Sequence, residues 1–318
     1  MLFLSRAEVE ELLDLDELVD ALARAHASLS AGEVSMPPRV AALVEEREAL
    51  LGVMPAYVPG EALACKLVTL FPQNEDRHTH QAAIMAFDHE NGTPLALMDG
   101  TYITATRTAA GSALATRLLA REDSNVLALV GTGVQARSHA QALTRVRDFG
   151  EIRVAGRSRE NVEELADELG GRACSTYEEA LRGADVVAAT THSTEPVIRR
   201  EWLDDGVHVN SVGLNPRGRE VDAETVAEAL LVVESRDSAL APPPAGAPEL
   251  VGVSPEHVHA ELGELVTGAR AGRATPDQIT LYKSVGVAVQ DAAAAALVLA
   301  AARERGVGRE IELEELTA

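Results

Sequence analysis

Lysine is nearly absent from this 318-residue chain: of 28 basic residues only Lys66 and Lys283 are lysines. Against them stand 50 Asp and Glu, for a formal charge of −22, and no basic cluster offsets it. Such a surface repels a phosphate backbone, so no nucleic-acid partner is expected. Cysteine is as scarce. Cys65 and Cys174 have no paired spacing, which excludes a disulfide framework and a thiolate metal site. His78-x-His80 and His257-x-His259 lack a cysteine or tight carboxylate cluster, and no metal is assigned. Long apolar runs are also missing. Residues 1–4 meet Ser5, Arg6 and Glu8 too soon for a secretion signal, and the run 292–302 is too short to span a bilayer. The expectation is a cytoplasmic protein with no membrane partner, whose acidity also suits a high-salt cytoplasm.

What is there is 46% hydrophobic residues, enough for one large or two smaller cores. Ser5 and Glu8 have capping-box spacing, and Leu12, Leu13, Val19, Leu22 and Ala25 follow near a 3.6 period, predicting an amphipathic helix ending near Gly32. After Pro37-Pro38 come short β-like runs at 50–58, 64–71, 81–88 and 94–98, then a helix over about 101–119. From Asn125 strand and helix alternate. Strands are expected at 126–130, 152–155, 185–189, 208–212 and 230–234, with helices such as 159–169 between them. That alternation predicts a doubly wound parallel sheet. A last helix is expected over about 281–305.

Gly131-Thr132-Gly133-Val134-Gln135-Ala136 directly follows the strand at 126–130 and opens a helix, the context a dinucleotide fingerprint requires. Gly131 permits the tight turn, Gly133 lets backbone approach a pyrophosphate, and Ala136 allows close helix–strand packing. At the end of the next strand stands Gly156-Arg157-Ser158-Arg159, with no carboxylate for a ribose diol. Guanidinium and hydroxyl there suit a 2′-phosphate, so NADPH is favoured over NADH. The alternative is that these arginines are solvated residues at a helix start. Arg39, Lys66 and Arg107 lie at ends of predicted elements, where cations could clamp a small carboxylate. A chain that otherwise uses arginine makes its two lysines candidates for work a guanidinium cannot do, drift being the alternative.

In order along the chain stand Gly52-Val53-Met54-Pro55-Ala56-Tyr57, Lys66-Leu67-Val68, Thr79-His80-Gln81-Ala82, Met98-Asp99-Gly100, Arg107-Thr108-Ala109-Ala110, the 131–136 turn, Gly183-Ala184-Asp185-Val186, Ala260-Glu261-Leu262-Gly263-Glu264 and Lys283-Ser284-Val285-Gly286. Through these segments the chain resembles the ornithine cyclodeaminase/mu-crystallin family along nearly its whole length. The resemblance implies an α/β homodimer: a Rossmann-type dinucleotide domain at 118–295, and an α+β substrate-binding and dimerisation domain from both chain ends, 1–117 plus 296–318. It places Arg39, Lys66 and Arg107 around a substrate carboxylate. Around the cofactor it places Thr79, His80, Gln81, Arg107, Thr108, Gly131, Gly133, Val134, Gln135, Arg157, Ser158, Asn161, Thr191, Val212 and Ser284.

One departure matters. Ornithine cyclodeaminases and the related alanine dehydrogenases carry Gly-x-Asp after the fifth strand, where this chain reads Gly213-Leu214-Asn215. An amide cannot pair with an ammonium as a charge or act as a general base. The mu-crystallin branch also lacks that Asp. The expected activity is therefore NADPH-dependent reduction of small α-imino acids, linear or cyclic. Lys66 is expected to have its pKa lowered by burial beside two arginines, and to stabilise or donate the proton that the nascent amine needs. Two alternatives stand beside it: ornithine cyclodeaminase or alanine dehydrogenase, and a non-catalytic protein that binds NADPH and a small ligand.

Overall fold

In the computed structural model, which describes residues 1–312, the chain divides into two compact units. One is Met1–Arg107 with the chain from Val287 on, the other Thr108–Gly286. The first begins with β1 (Leu2–Leu4), α1 (Arg6–Leu12) and α2 (Leu15–Ser30). The single helix expected up to Gly32 is thus two. Ser5 and Glu8 do form the capping box. Leu13 then turns extended, and the Asp14 carboxylate accepts from Glu17 N at 2.9 Å. A fresh N-cap two residues past a helix end outcompetes continuation. Next come β2 (Val40–Val44), β3 (Ala49–Val58), β4 (Ala62–Leu70), β5 (His80–Phe87) and β6 (Pro94–Asp99), then α3 (Gly100–Leu119).

The second unit contains β7 (Val126–Val130), α4 (Val134–Leu143), β8 (Glu151–Ala155), α5 (Arg159–Leu169), β9 (Arg172–Ala173), α6 (Tyr177–Leu181) and β10 (Val186–Ala189). It continues with β11 (His208–Ser211), α7 (Ala223–Glu228), β12 (Leu230–Val233), α8 (Arg236–Ala239), β13 (Val258–Glu261), α9 (Leu262–Val266) and β14 (Thr280–Lys283). All eight strands are parallel, in the order β13-β12-β14-β11-β10-β7-β8-β9. This is the Rossmann-type sheet the alternation predicts. The expected helix start at Leu281 is corrected: Thr280–Lys283 is a strand between β11 and β12. Four residues buried on both faces carry no period-2 signal, so such a strand cannot be told from a buried helix start.

The chain ends its described part with α10 (Ala288–Arg305) and β15 (Arg309–Glu310), both in the first unit. That unit's sheet runs β15-β1-β6-β5-β4-β3-β2, and α10 packs on β3, β4 and β5 and against α2. Alternate residues of β3 are buried under this cover, the period expected of a one-sided sheet. The division falls at 107/108 and 286/287, whereas the expected boundaries, 117/118 and 295/296, lie inside α3 and α10. A continuous helix carries no composition break, so no local signal marks a boundary within it. The end of the expected range 296–318, residues 313–318, lies outside the described residues.

Candidate active site

In the first unit, register puts Met54, Lys66, Ile84 and Met98 opposite one another on β3, β4, β5 and β6. All four are buried on the helix-covered face. Lys66, 2% exposed, is the one charge in an otherwise apolar row. Its partner comes from the first turn of α10: Nζ lies 2.9 Å from Asp291 Oδ1 and 2.8 Å from Oδ2. Arg107, from α3, donates through Nε to the same Oδ1 at 2.9 Å. Burial pulls the Lys66 pKa down to about 8, helped by the Arg107 and Arg39 charges and opposed by Asp291. For Asp291 burial works upward, but Arg107 and Lys66 outweigh it and hold the carboxyl below its usual range. The start of a helix is also where a carboxylate is favoured.

The charges do not balance. Lys66 and Arg107 share the one Asp291 carboxylate, a surplus of positive charge in low dielectric, and the charge of the half-buried Arg39 acts on Lys66. The three expected carboxylate-binding residues are therefore brought together. Asp291 was missed, and its signal was visible: Gln290 and Asp291 are polar residues heading an unbroken apolar helical run. Thr79, His80 and Gln81 lie at the start of β5, the last two exposed, with Thr79 Oγ1 3.4 Å from His80 Nδ1. Gln81 pairs with Thr69 across the ladder and Lys66 with Ile84, so the three do not join the buried cluster.

In the second unit β7 lies between β8 and β10, and the 131–136 turn leaves its carboxyl end where strand order reverses, the place open α/β sheets bind ligands. Gly131 has φ +117°, and a Cβ there would sit 2.6 Å from Thr190 Oγ1, so only glycine fits. Gly133 N-caps α4 without a side-chain cap, and nothing lies within 4 Å of where its Cβ would be. Ala136 is fully buried, Val134 is exposed, and Gln135 Oε1 has no partner. A glycine-lined helix start with its first N–H groups uncapped fits a pyrophosphate.

At the end of β8, Ser158 N-caps α5 by accepting from Asn161 N at 3.3 Å. Arg159 is exposed and donates to Glu163 and Ser175. Arg157 is exposed and has no hydrogen bond or ion pair among the described residues. Thr108 is half-buried on α3. Thr191 gives both N–H and hydroxyl to Glu220, Val212 N donates to Ala189 O, and the Ser284 hydroxyl donates to Glu234 at 2.6 Å.

Asn215 has both ends of its amide in use. Nδ2 donates to His192 O and Oδ1 accepts from Arg217 N, each at 3.0 Å, stapling the loop after β11 to the loop after β10. Lys283, wholly buried, donates to Ser211 Oγ at 3.1 Å, Gly213 O at 2.6 Å and Glu249 at 3.2 Å. The second lysine thus anchors the same loop.

A family model described as the ornithine cyclodeaminase/mu-crystallin family matches residues 1–306. The chain belongs to this family. Within the ornithine cyclodeaminase/mu-crystallin family it is 42% identical over 306 residues to the ketimine reductase mu-crystallin of Mus musculus, covering 93% of this chain and 96% of the mouse protein. The structure of Thermococcus litoralis Δ1-pyrroline-2-carboxylate reductase in complex with NADH and L-proline is similar at TM-score 0.92 and 37% identity, over 98% of this chain and all of that one. An archaeal alanine dehydrogenase dimer with bound NAD is similar at TM-score 0.91 and 33% identity, over 98% and 99%. No described helix is long and apolar enough to cross a membrane.

Proposed function

We propose that the protein is an NADPH-dependent reductase of small α-imino acids, linear or cyclic. The observation that carries this reading is the surplus positive charge around Asp291, which a substrate carboxylate would neutralise. Arg107 and Arg39 hold that carboxylate. Lys66, with a pKa brought down to about 8, gives its proton to the imine nitrogen as C=N becomes CH–NH. When bound, the nicotinamide supplies the hydride for the imine carbon. The mouse and Thermococcus relatives, named for a ketimine and for Δ1-pyrroline-2-carboxylate, support this choice of substrate.

Gly131, Gly133 and the α4 N-terminus hold the pyrophosphate, and the partnerless Arg157 takes the 2′-phosphate that favours NADPH. Thr79, His80, Gln81, Thr108, Val134, Gln135, Ser158, Asn161, Thr191, Val212 and Ser284 are proposed as further cofactor contacts on the family resemblance. We also propose a homodimer. Val40, Leu51 and Leu67 are exposed on the sheet face opposite Lys66, and the alanine dehydrogenase relative is a dimer. Cys65 and Cys174, both free, suit a cytoplasmic location.

The test follows absorbance at 340 nm with NADPH or NADH and Δ1-pyrroline-2-carboxylate, Δ1-piperideine-2-carboxylate, or pyruvate with methylamine or ammonia. Rapid loss of NADPH with an imine is the expected result. Silence on every imine, with ammonia released from L-ornithine or NADH formed from L-alanine, would overturn the reading.

A further inference from the structure

The polar chain in the first unit does not stop at Arg107. Gln290, 1% exposed at the start of α10, accepts through Oε1 from Arg107 Nη1 at 2.8 Å. Its other end, Nε2, lies 3.0 Å from Nε2 of His26, a fully buried residue of α2. An amide has a sense, since the oxygen only accepts and the nitrogen only donates. With Oε1 turned to the guanidinium, Nε2 must donate, so His26 Nε2 must carry a lone pair and the ring proton must sit on Nδ1. That Nδ1–H is buried and has no acceptor among the described residues, so the Gln290 amide alone sets the tautomer. Burial, aided by the Arg107 charge, brings the His26 pKa down to about 4, so the ring stays neutral across any ordinary assay pH. A doubly protonated ring would set N–H against N–H and turn the amide round, putting its NH₂ against Arg107.

We infer that His26 and Gln290 form a positioning relay: His26 fixes the sense of the Gln290 amide, and Gln290 fixes the rotation of Arg107 about its bond to Asp291. Two anchors, Nε on Asp291 and Nη1 on Gln290, hold a planar fork where one would leave it free to swing. The relay therefore governs affinity for the substrate carboxylate and leaves the proton on Lys66 alone. It rests on the reading of Arg107 as a carboxylate clamp.

The test is a double-mutant cycle with Gln290→Met, unbranched and of similar length, and His26→Phe, which keeps the ring and removes the acceptor. Kinetics with NADPH and Δ1-pyrroline-2-carboxylate are read beside inhibition by pyrrole-2-carboxylate and by its neutral carboxamide. Gln290→Met should raise KM and the carboxylate inhibition constant together, by roughly tenfold for one charge-assisted hydrogen bond, with kcat and carboxamide inhibition nearly unchanged. His26→Phe should do the same to a smaller extent. The double variant should be no worse than Gln290→Met, because both act through one chain. Additive effects, or a loss of kcat at constant KM, would overturn the relay. If Gln290→Met fails to fold, Gln290→Glu takes its place: its carboxylate competes for Arg107 and should raise KM, and an unchanged KM overturns the relay. Arg107→Met separates the two levels. If pyrrole-2-carboxylate binds equally well to wild type and Arg107→Met, the clamp itself fails. If only Arg107→Met weakens binding, the clamp stands and the relay fails.

Discussion

Asp291→Asn removes one charge and almost no volume from the buried Lys66–Asp291–Arg107 cluster, which makes it the sharpest probe of how Lys66 works. In the native protein the Lys66 pKa is about 8 because Asp291 offsets part of the effect of burial and of Arg107. An opposite charge in contact typically moves a pKa by roughly 1–3, so its removal should bring Lys66 to roughly 5–7. At pH 7 the protonated share then falls from about nine-tenths to between about one-half and one-hundredth. If protonated Lys66 delivers the proton, kcat for imine reduction at pH 7 falls roughly 2- to 100-fold by the same arithmetic. The pH at which activity declines should move from near 8 to roughly 5–7, so that acid partly restores the variant. The assay is NADPH oxidation with Δ1-pyrroline-2-carboxylate from pH 5.5 to 9, with circular dichroism and NADPH affinity as folding controls. A variant with normal turnover and an unmoved decline near pH 8 would refute the role given to Asp291 and the protonation argument with it.

Lys66→Met should abolish turnover while leaving the NADPH dissociation constant within about twofold, as expected of a proton donor that is not among the proposed cofactor contacts; equal activity in the variant would remove Lys66 from the mechanism. Arg157→Ala should weaken NADPH by about tenfold or more and NADH hardly at all, checked by fluorescence titration of both; equal losses would mean that Arg157 does not read the 2′-phosphate. Gly131→Ala forces a Cβ to 2.6 Å from Thr190 Oγ1 at φ +117° and should destabilise by about 1–3 kcal/mol, with weaker NADPH binding, measured by thermal melting and titration. Leu67→Asp, on the exposed sheet face, should yield monomers in sedimentation, and an unchanged dimer would place the interface elsewhere.

The second unit was legible because buried parallel strands write themselves as unbroken apolar runs, as at 126–130, and the fingerprint supplies its own context. Where the run was short and led towards another apolar stretch, as at Thr280–Lys283, the signal failed. The site was legible one residue at a time. Lys66, Arg39 and Arg107 stood out by type and by resemblance to the family. Their counter-ion did not, because Asp291 lies 225 residues from Lys66 and 184 from Arg107 in sequence. The His26 to Gln290 contact spans 264. No local period encodes such pairings, and only the packing of α10 on β4 and α2 brings them together. Asn215 shows the converse. Its missing charge was plain in the sequence, yet its work as a two-ended staple depends on a carbonyl at His192 that no spacing rule points to.

The burial of both lysines has a practical consequence. Lys66 is 2% and Lys283 0% exposed, so no side-chain amine reaches the surface of the folded protein. Amine-directed acylation, by a chemical reagent or by an enzyme conjugating acetyl or ubiquitin, finds no native lysine to modify. Labelling becomes instead a clock for transient opening, and mass spectrometry reads it separately for each unit: acetyl on Lys66 counts excursions of the first unit's sheet, and acetyl on Lys283 counts those of the second unit's parallel sheet.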